Sequence, residues 1–329
     1  MRVVICPDKF KGTATASEVT DAVGSSHAMQ TAEVIKCPLA DGGEGTLEAL
    51  GGANRISEVA DPLGRPIAAA WRYAAKTAVI EMSRASGLLL VGGKSGNDPL
   101  VANTRGTGEL ISAAREAGAR RIIVGVGGSA STDGGYEALR AMQSIAKFRG
   151  IEIEVACDVT TKFLDAPRVF GPQKGASALQ VDLLTRRLKM LADLYLEQYG
   201  IDVRDMARSG AAGGLAGGLA AFGAQLVDGF GLIADEVELA EMIEGADLVI
   251  TGEGRLDQAS FEGKVVGGVY RIAQELKVPV LAIVGEVDEE ISVPDSLNIV
   301  SLVELYGYEK ATEETFRCVS EATNKFLSG

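Results

Sequence analysis

Arg121-Ile-Ile-Val-Gly-Val-Gly-Gly-Ser-Ala-Ser-Thr-Asp-Gly-Gly135 runs an apolar segment straight into a glycine loop that carries an acid. Residues 121–126 predict a strand. The same design occurs twice more: residues 33–37 lead into Asp41-Gly42-Gly43-Glu44-Gly45-Thr46, and residues 247–251 into Gly252-Glu253-Gly254-Arg255-Leu256-Asp257. Glycine permits positive φ and close approach of backbone to a ligand, and successive N–H groups in such turns form anion-binding concavities. A carboxylate beside an anion repels it unless a cation lies between them, so the loops read as a site for phosphate with Mg²⁺.

Outward from these loops, short apolar runs alternate with helical segments, which predicts an α/β fold. Strands are expected at 3–6, 33–37, 78–82, 121–126, 151–157, 247–251, 278–284 and 298–303. Thr15-x-x-Glu18 supplies a capping box for a helix reaching about Met29. A helix over 108–117 ends before Gly118, and apolar spacing marks an amphipathic helix over 178–199. Strand–helix–strand units predict a parallel sheet, whose ligands sit outside the carboxyl ends of the strands. All three acid-bearing loops fall there.

Composition bounds the partners. The chain has 329 residues, enough for two domains, with 47% hydrophobic and 23% charged residues. A net charge of −13 argues against nucleic acid or an anionic membrane surface as partner. The 4 cysteines form no CxxC pair, so structural zinc is not expected and the thiols read as buried. The apolar run before Pro7 is too short for a signal peptide, and no stretch suits a bilayer span, so a cytoplasmic protein is expected.

Several familiar chemistries are absent. There is no GxxxxGK[ST], and no protein-kinase HRD or DFG motif. Gly125-x-Gly127-x-x-Ala130 matches a dinucleotide fingerprint, but Gly134 and Gly135 would fall in the helix it requires. A single histidine, His27, excludes a serine–histidine triad and reads as a surface residue.

The remaining motifs each have a plain structural alternative. Asp41 could cap a helix starting near Gly45, and Ser129, Ser131, Thr132 and Asp133 could do the same for the next helix. Glu253 and Asp257, with Lys264 a turn further on, could form a surface ion pair. Lys174 between glycines supplies either a movable positive charge for phosphate or an ordinary helix approach. Pro7-Asp8-Lys9-Phe10-Lys11-Gly12 suits an anionic substrate or a solvated charge run. The glycine run 210–218 reads as a phosphate cradle or as close helix packing.

Taken in order, the motifs PDKFKG (7–12), ADGGEGT (40–46), EMSRASGL (81–88), GTGELI (106–111), GVGGSASTDGG (125–135), CDV (157–159), FGPQKGAS (170–177), GAAGGL (210–215) and TGEGRLD with Gly263-Lys264 resemble the bacterial glycerate kinase family that phosphorylates D-glycerate with ATP. They are collinear over residues 7 to about 285. The resemblance implies a Rossmann-like parallel-sheet domain built from both chain ends, 1–60 and 236–329. It also implies an inserted α/β middle domain, 61–235, with the active site in the cleft between them. It implies ATP, Mg²⁺ and a phosphoglycerate product, most often 2-phosphoglycerate. The family usually has Ser at Lys9, Asn at Thr132 and Gln at Ala259, carries a longer segment between Met142 and Ile151, and has an Asn-Pro turn after Asp158.

On this resemblance Asp41 or Asp158 accepts the hydroxyl proton, and Lys11 steadies the substrate carboxylate or the transferring phosphoryl group. Asp8 and Glu44 are substrate-binding candidates. Gly127, Gly128, Ser129, Lys174, Gly213, Gly214 and Lys264 are candidate phosphate or nucleotide contacts, and Asp133, Glu253 and Asp257 are candidate metal ligands. Two alternatives stand beside the kinase. One is a diverged, non-catalytic binder of nucleotide or sugar acid. The other is a metal-dependent enzyme acting on a phosphorylated sugar acid.

Overall fold

The computed structural model describes residues 1–327. Its strands are β1 (Arg2–Ile5), β2 (Glu33–Lys36), β3 (Arg55–Ala60), β4 (Pro66–Ala74), β5 (Thr77–Glu81), β6 (Arg121–Gly125), β7 (Glu152–Cys157), β8 (Gln225–Asp228), β9 (Leu248–Leu256), β10 (Val280–Val287) and β11 (Leu297–Ser301). The fold is α/β, as expected. The chain divides into two compact units, Met1–Asp41 with Phe230–Gly329, and Gly42–Gly229. Residues 42–60 belong to the middle unit, and the return to the end unit comes at Phe230.

In the end unit the sheet order is β11-β10-β9-β1-β2, with every pairing parallel. Parallel strands are covered on both faces, so their sequences read as continuous apolar runs. Val3–Ile5, Leu248–Ile250 and Val280–Val284 are buried throughout. The capping box forms as read: Thr15 Oγ1 accepts from Glu18 N at 3.2 Å, and Glu18 accepts from Thr15 N at 2.8 Å. The helix it starts, Ala16–Gly24, stops earlier than expected, and a separate 3₁₀ turn spans His27–Met29.

β9 outruns its expected end at residue 251 because the glycine cluster continues the strand instead of leaving it. Glu253 pairs with Val284 and Arg255 with Glu286. Gly252 is required there, since a Cβ would lie 2.0 Å from the Ile283 carbonyl oxygen.

In the middle unit the order is β3-β4-β5-β6-β7-β8, parallel from β5 onward and antiparallel along β3-β4-β5. The antiparallel β3–β4 pair and β8 are not anticipated by the sequence reading. Ala75 and Lys76 connect β4 to β5 with φ of 48° and 67°. That is the backbone of a tight hairpin turn without the Asn-Gly signature that announces one. The helix Arg105–Glu116 is followed by Gly118 at φ 94°, the expected left-handed stop. The helix Ala178–Tyr199 has the expected bounds, but its buried face is Leu184, Leu188, Leu191, Ala192 and Tyr195, with Leu179 and Leu183 exposed. All four cysteines are buried, and His27 is exposed.

Candidate active site

Two clusters of the expected residues form, one in each unit. In the end unit, Asp8 follows β1, and its N–H donates to the Gly252 carbonyl at 2.8 Å. The chain after β2 stays beside the chain after β1: Cys37 N donates to Ile5 O at 2.8 Å and Leu39 N to Pro7 O at 2.9 Å. Parallel pairing thus delivers Asp41 next to Asp8. Both are buried, and Lys9 Nζ stands 3.4 Å from Asp8 Oδ1 and 3.7 Å from Asp41 Oδ1. Burial first, and then the Asp41 charge, push the Asp8 carboxyl up to about 7 against the opposing pull of Lys9. Lys9 therefore sets a cation between two acids.

Glu253, from β9, belongs to the same cluster. It is 7% exposed, and its Oε1 has no hydrogen-bond partner. Burial pushes it up to about 7, helped by the Asp8 and Asp257 charges and opposed by Ser260 and Lys264. Asp257 caps the following 3₁₀ turn, accepting from Ser260 N at 3.0 Å and Ser260 Oγ at 3.2 Å. Lys264 Nζ lies 4.0 Å from Asp257 Oδ1, at the start of the helix Val265–Glu275. Lys11 is exposed on the turn after β1.

In the middle unit the glycine loop 42–45 lies against the carboxyl ends of β6 and β7. A Cβ on Gly42 would meet Gly229 Cα at 2.7 Å and the Ala156 carbonyl carbon at 3.0 Å, and one on Gly127 would meet Gly43 Cα at 2.8 Å. The helix Thr46–Ala49 is not capped by Asp41. Buried Glu81 does that work, accepting from Gly45 N at 2.7 Å and Leu47 N at 3.0 Å. Glu44 is exposed in this loop.

Asp133 is fully enclosed. It accepts from Thr104 Oγ1 at 2.8 Å, Thr104 N at 3.0 Å, Gly135 N at 3.3 Å and Glu137 N at 3.4 Å. Burial still holds its carboxyl above the usual range, with those hydrogen bonds opposing. Its oxygens are committed to protein donors, which is the chemistry of a structural clamp. Among the described residues, no three of His, Cys, Asp and Glu converge as a metal-binding group.

Lys174, read from sequence as a movable charge, is 2% exposed and fixed. Its ammonium donates at 2.6 Å to Ser129 Oγ and at 2.6 Å to the Ser131 carbonyl. Gly213 and Gly214 are buried against the Ser131–Gly134 segment; a Cβ on Gly213 would lie 2.1 Å from the Ser131 carbonyl oxygen. Gly134 N donates to Gly213 O at 3.1 Å. Close packing thus accounts for this glycine run without a ligand. The helix after the second loop, Tyr136–Met142, begins beyond Gly135, in accord with rejecting the dinucleotide fingerprint.

Asp158 lies half-buried directly after β7. Beside this strand end, Arg208 donates to the Cys157 carbonyl at 3.2 Å and to Asp228 Oδ1 at 3.3 Å, from a left-handed backbone at φ 71°. Arg208, Thr104 and Glu81 escape a sequence reading because their partners are distant in the chain.

The family model described as Glycerate kinase family matches residues 3–146 and 142–327. A glycerate 2-kinase of Escherichia coli (strain K12) is 38% identical, over 96% of this chain and 93% of its own. A glycerate kinase of Bacillus subtilis (strain 168) is 37% identical, over 98% and 94%. A crystal structure of a Salmonella typhimurium LT2 protein superposes with a TM-score of 0.82 at 35% identity, covering 100% of this chain and 97% of that one. No helix of the described residues is long and apolar enough to cross a membrane.

Proposed function

Because the chain belongs to the glycerate kinase family and is a kinase, we propose that it transfers the γ-phosphoryl group of ATP to a hydroxyl of D-glycerate. 2-Phosphoglycerate is the favoured product. The observation that carries the chemistry is the Asp8–Asp41 pair around Lys9, with Asp8 pushed up to about 7. Asp8, which binds a proton near neutral pH beside a second acid, suits general-base removal of the glycerate hydroxyl proton. The base is assigned to the pair because the two acids stand together at Lys9, with Asp41 the member nearer the glycine loop in sequence.

Glu253 fits Mg²⁺ because its Oε1 is buried and unpartnered. Glu253, with Asp257 directly or through water, would hold the ion, which when bound neutralises charge on the phosphoryl oxygens. The backbone of Gly127–Ser129 and the Ser129 hydroxyl would bind nucleotide phosphate, and Lys11 and Lys264 supply exposed or half-buried cations for anionic groups. Asp133 is assigned a structural role in place of a metal ligand, since its oxygens already serve Thr104 and two loop amides. Catalysis on this reading is mostly positioning and electrostatic stabilisation.

The Escherichia coli relative's designation as a glycerate 2-kinase supports attack by the 2-hydroxyl. Coupled ADP release with D-glycerate, L-glycerate and other short hydroxy-acids, followed by isomer analysis of the product, tests the reading. ADP release confined to D-glycerate supports it. Release with a different acid alone, or none in the presence of bound ATP, overturns it.

A further inference from the structure

Lys174 cannot swing out to a ligand, yet its charge is set where it controls a neighbour. The residue ends the 3₁₀ turn Pro172–Lys174 and is 2% exposed. Asn97 pins the backbone on both sides of the contact, donating to the carbonyls of Ala130 at 3.0 Å and Lys174 at 2.9 Å. The ammonium then makes its two 2.6 Å bonds, to Ser129 Oγ and the Ser131 carbonyl.

An ammonium carries three donors and no acceptor. Ser129 Oγ therefore accepts from Lys174, and the one hydroxyl proton of Ser129 must point elsewhere. No protein acceptor takes it among the described residues. Ser129 sits in the loop after β6, beyond Gly127 and the left-handed Gly128 at φ 65°, and is held by an antiparallel bridge to Gly87. Close by in sequence, Ser131 Oγ and Thr132 Oγ1 are buried without partners. The result is a hydroxyl donor whose direction is set by a buried charge.

We propose that Lys174 is a positioning residue that holds the Ser129 hydroxyl as a donor to a phosphate oxygen of the nucleotide. The inference rests on the kinase reading only in taking the anion to be a nucleotide phosphate. A neutral partner of the same reach would leave the Ser129 proton free to turn inward; the ammonium forbids that orientation. Burial pulls the Lys174 ammonium down to about 7 against the Asp133 charge, so the constraint on Ser129 acts in the protonated form, below about that pH.

The test is calorimetric titration of the full chain with Mg²⁺-ADP at about pH 6, where Lys174 carries its proton. Ser129→Ala is expected to weaken binding about tenfold, the scale of one hydrogen bond to a charged group. Lys174→Met is expected to weaken it by a similar factor, and the double variant no more than either single one. Ser129→Thr keeps the hydroxyl and is expected to retain binding. In turnover assays the KM for ATP rises in both single variants while the KM for glycerate stays unchanged. Lys174→Met leaves the Ser131 carbonyl without its donor, so its Tm is expected to fall, and thermal melting sets a titration temperature at which every variant is folded. Lys174→Met binding Mg²⁺-ADP as tightly as the unmodified chain, or losses that multiply in the double variant, overturns the proposal. An unmodified chain that binds Mg²⁺-ADP but phosphorylates no glycerate sinks the proposed reaction alone. One that binds no nucleotide sinks both.

Discussion

Asp8 and Asp41 share one ammonium, Lys9 Nζ, at 3.4 Å and 3.7 Å, although 32 residues of chain lie between the two acids. The parallel β1–β2 pairing makes that meeting, and burial makes it consequential. Asp41→Asn is expected to lower kcat by about 100-fold or more, the scale of a lost general base, in a protein with normal melting. It also removes the charge that helps raise Asp8, so the acidic limb of the kcat profile should move to lower pH. Stopped assays across pH 5–9 with melting curves check both, and near-normal kcat in folded Asp41→Asn counts against the pair as base.

Stability should follow the same proton. Asp8 in the fold binds it up to about 7, whereas in the unfolded chain it is lost near an ordinary carboxylate value of about 4. Between those values the folded state holds the extra proton, so stability falls as pH rises through the window and levels off above it. The slope from one such group is at most about 1.4 kcal/mol per pH unit. Asp8→Asn is expected to flatten urea-derived stability between pH 5 and pH 7. An unchanged pH dependence would mean that Asp8 titrates normally.

Glu253 separates metal binding from folding. Its buried, unpartnered Oε1 and its shift up to about 7 make ionisation costly in the free protein. Glu253→Gln is expected to raise Tm at pH 8 while increasing the Mg²⁺ concentration needed for half-maximal rate by about tenfold or more, comparable to losing a charge-assisted contact. A Mg²⁺ titration of the rate decides it: an unshifted midpoint removes Glu253 from the metal site.

Asp133 should behave in the opposite way. Asp133→Ala leaves Thr104 N and the amides of Gly135 and Glu137 without their acceptor in a closed interior. A loss of about 3–5 kcal/mol is expected for breaking such a buried charged network. In Asp133→Asn, where an acceptor oxygen survives, the Mg²⁺ midpoint should stay where it is. A shifted midpoint in that variant would make Asp133 a metal ligand after all.

Gly213 and Gly64 provide a matched pair for packing. Both have positive φ, 69° and 86°, but a Cβ on Gly213 would lie 2.1 Å from the Ser131 carbonyl oxygen, while Gly64 has open space around it. Gly64→Ala is expected to cost about 1–2 kcal/mol from backbone strain alone. Gly213→Ala adds overpacking of about 1–3 kcal/mol to a similar strain. Equal melting temperatures for the two variants would deny the close packing of the 210–214 turn against the β6 loop.

The sequence by itself determined the α/β class, most of the parallel strands, the Thr15–Glu18 capping box and the family, because these rest on local periodicity and collinear motifs. Its strand limits erred where glycine stands inside a strand, as in β9, since glycine signals a loop until the neighbouring carbonyl of Ile283 is seen to exclude a side chain. The β4–β5 hairpin was hidden because Ala75-Lys76 adopts a turn conformation their side chains do not advertise. Which acids titrate near neutrality, which one is locked in a structural clamp, and which lysine is fixed instead of mobile were decided only by the tertiary structure. The motifs carry the charges, but the energy of a charge depends on its burial and on partners brought from far along the chain, and neither exists until the sheets form.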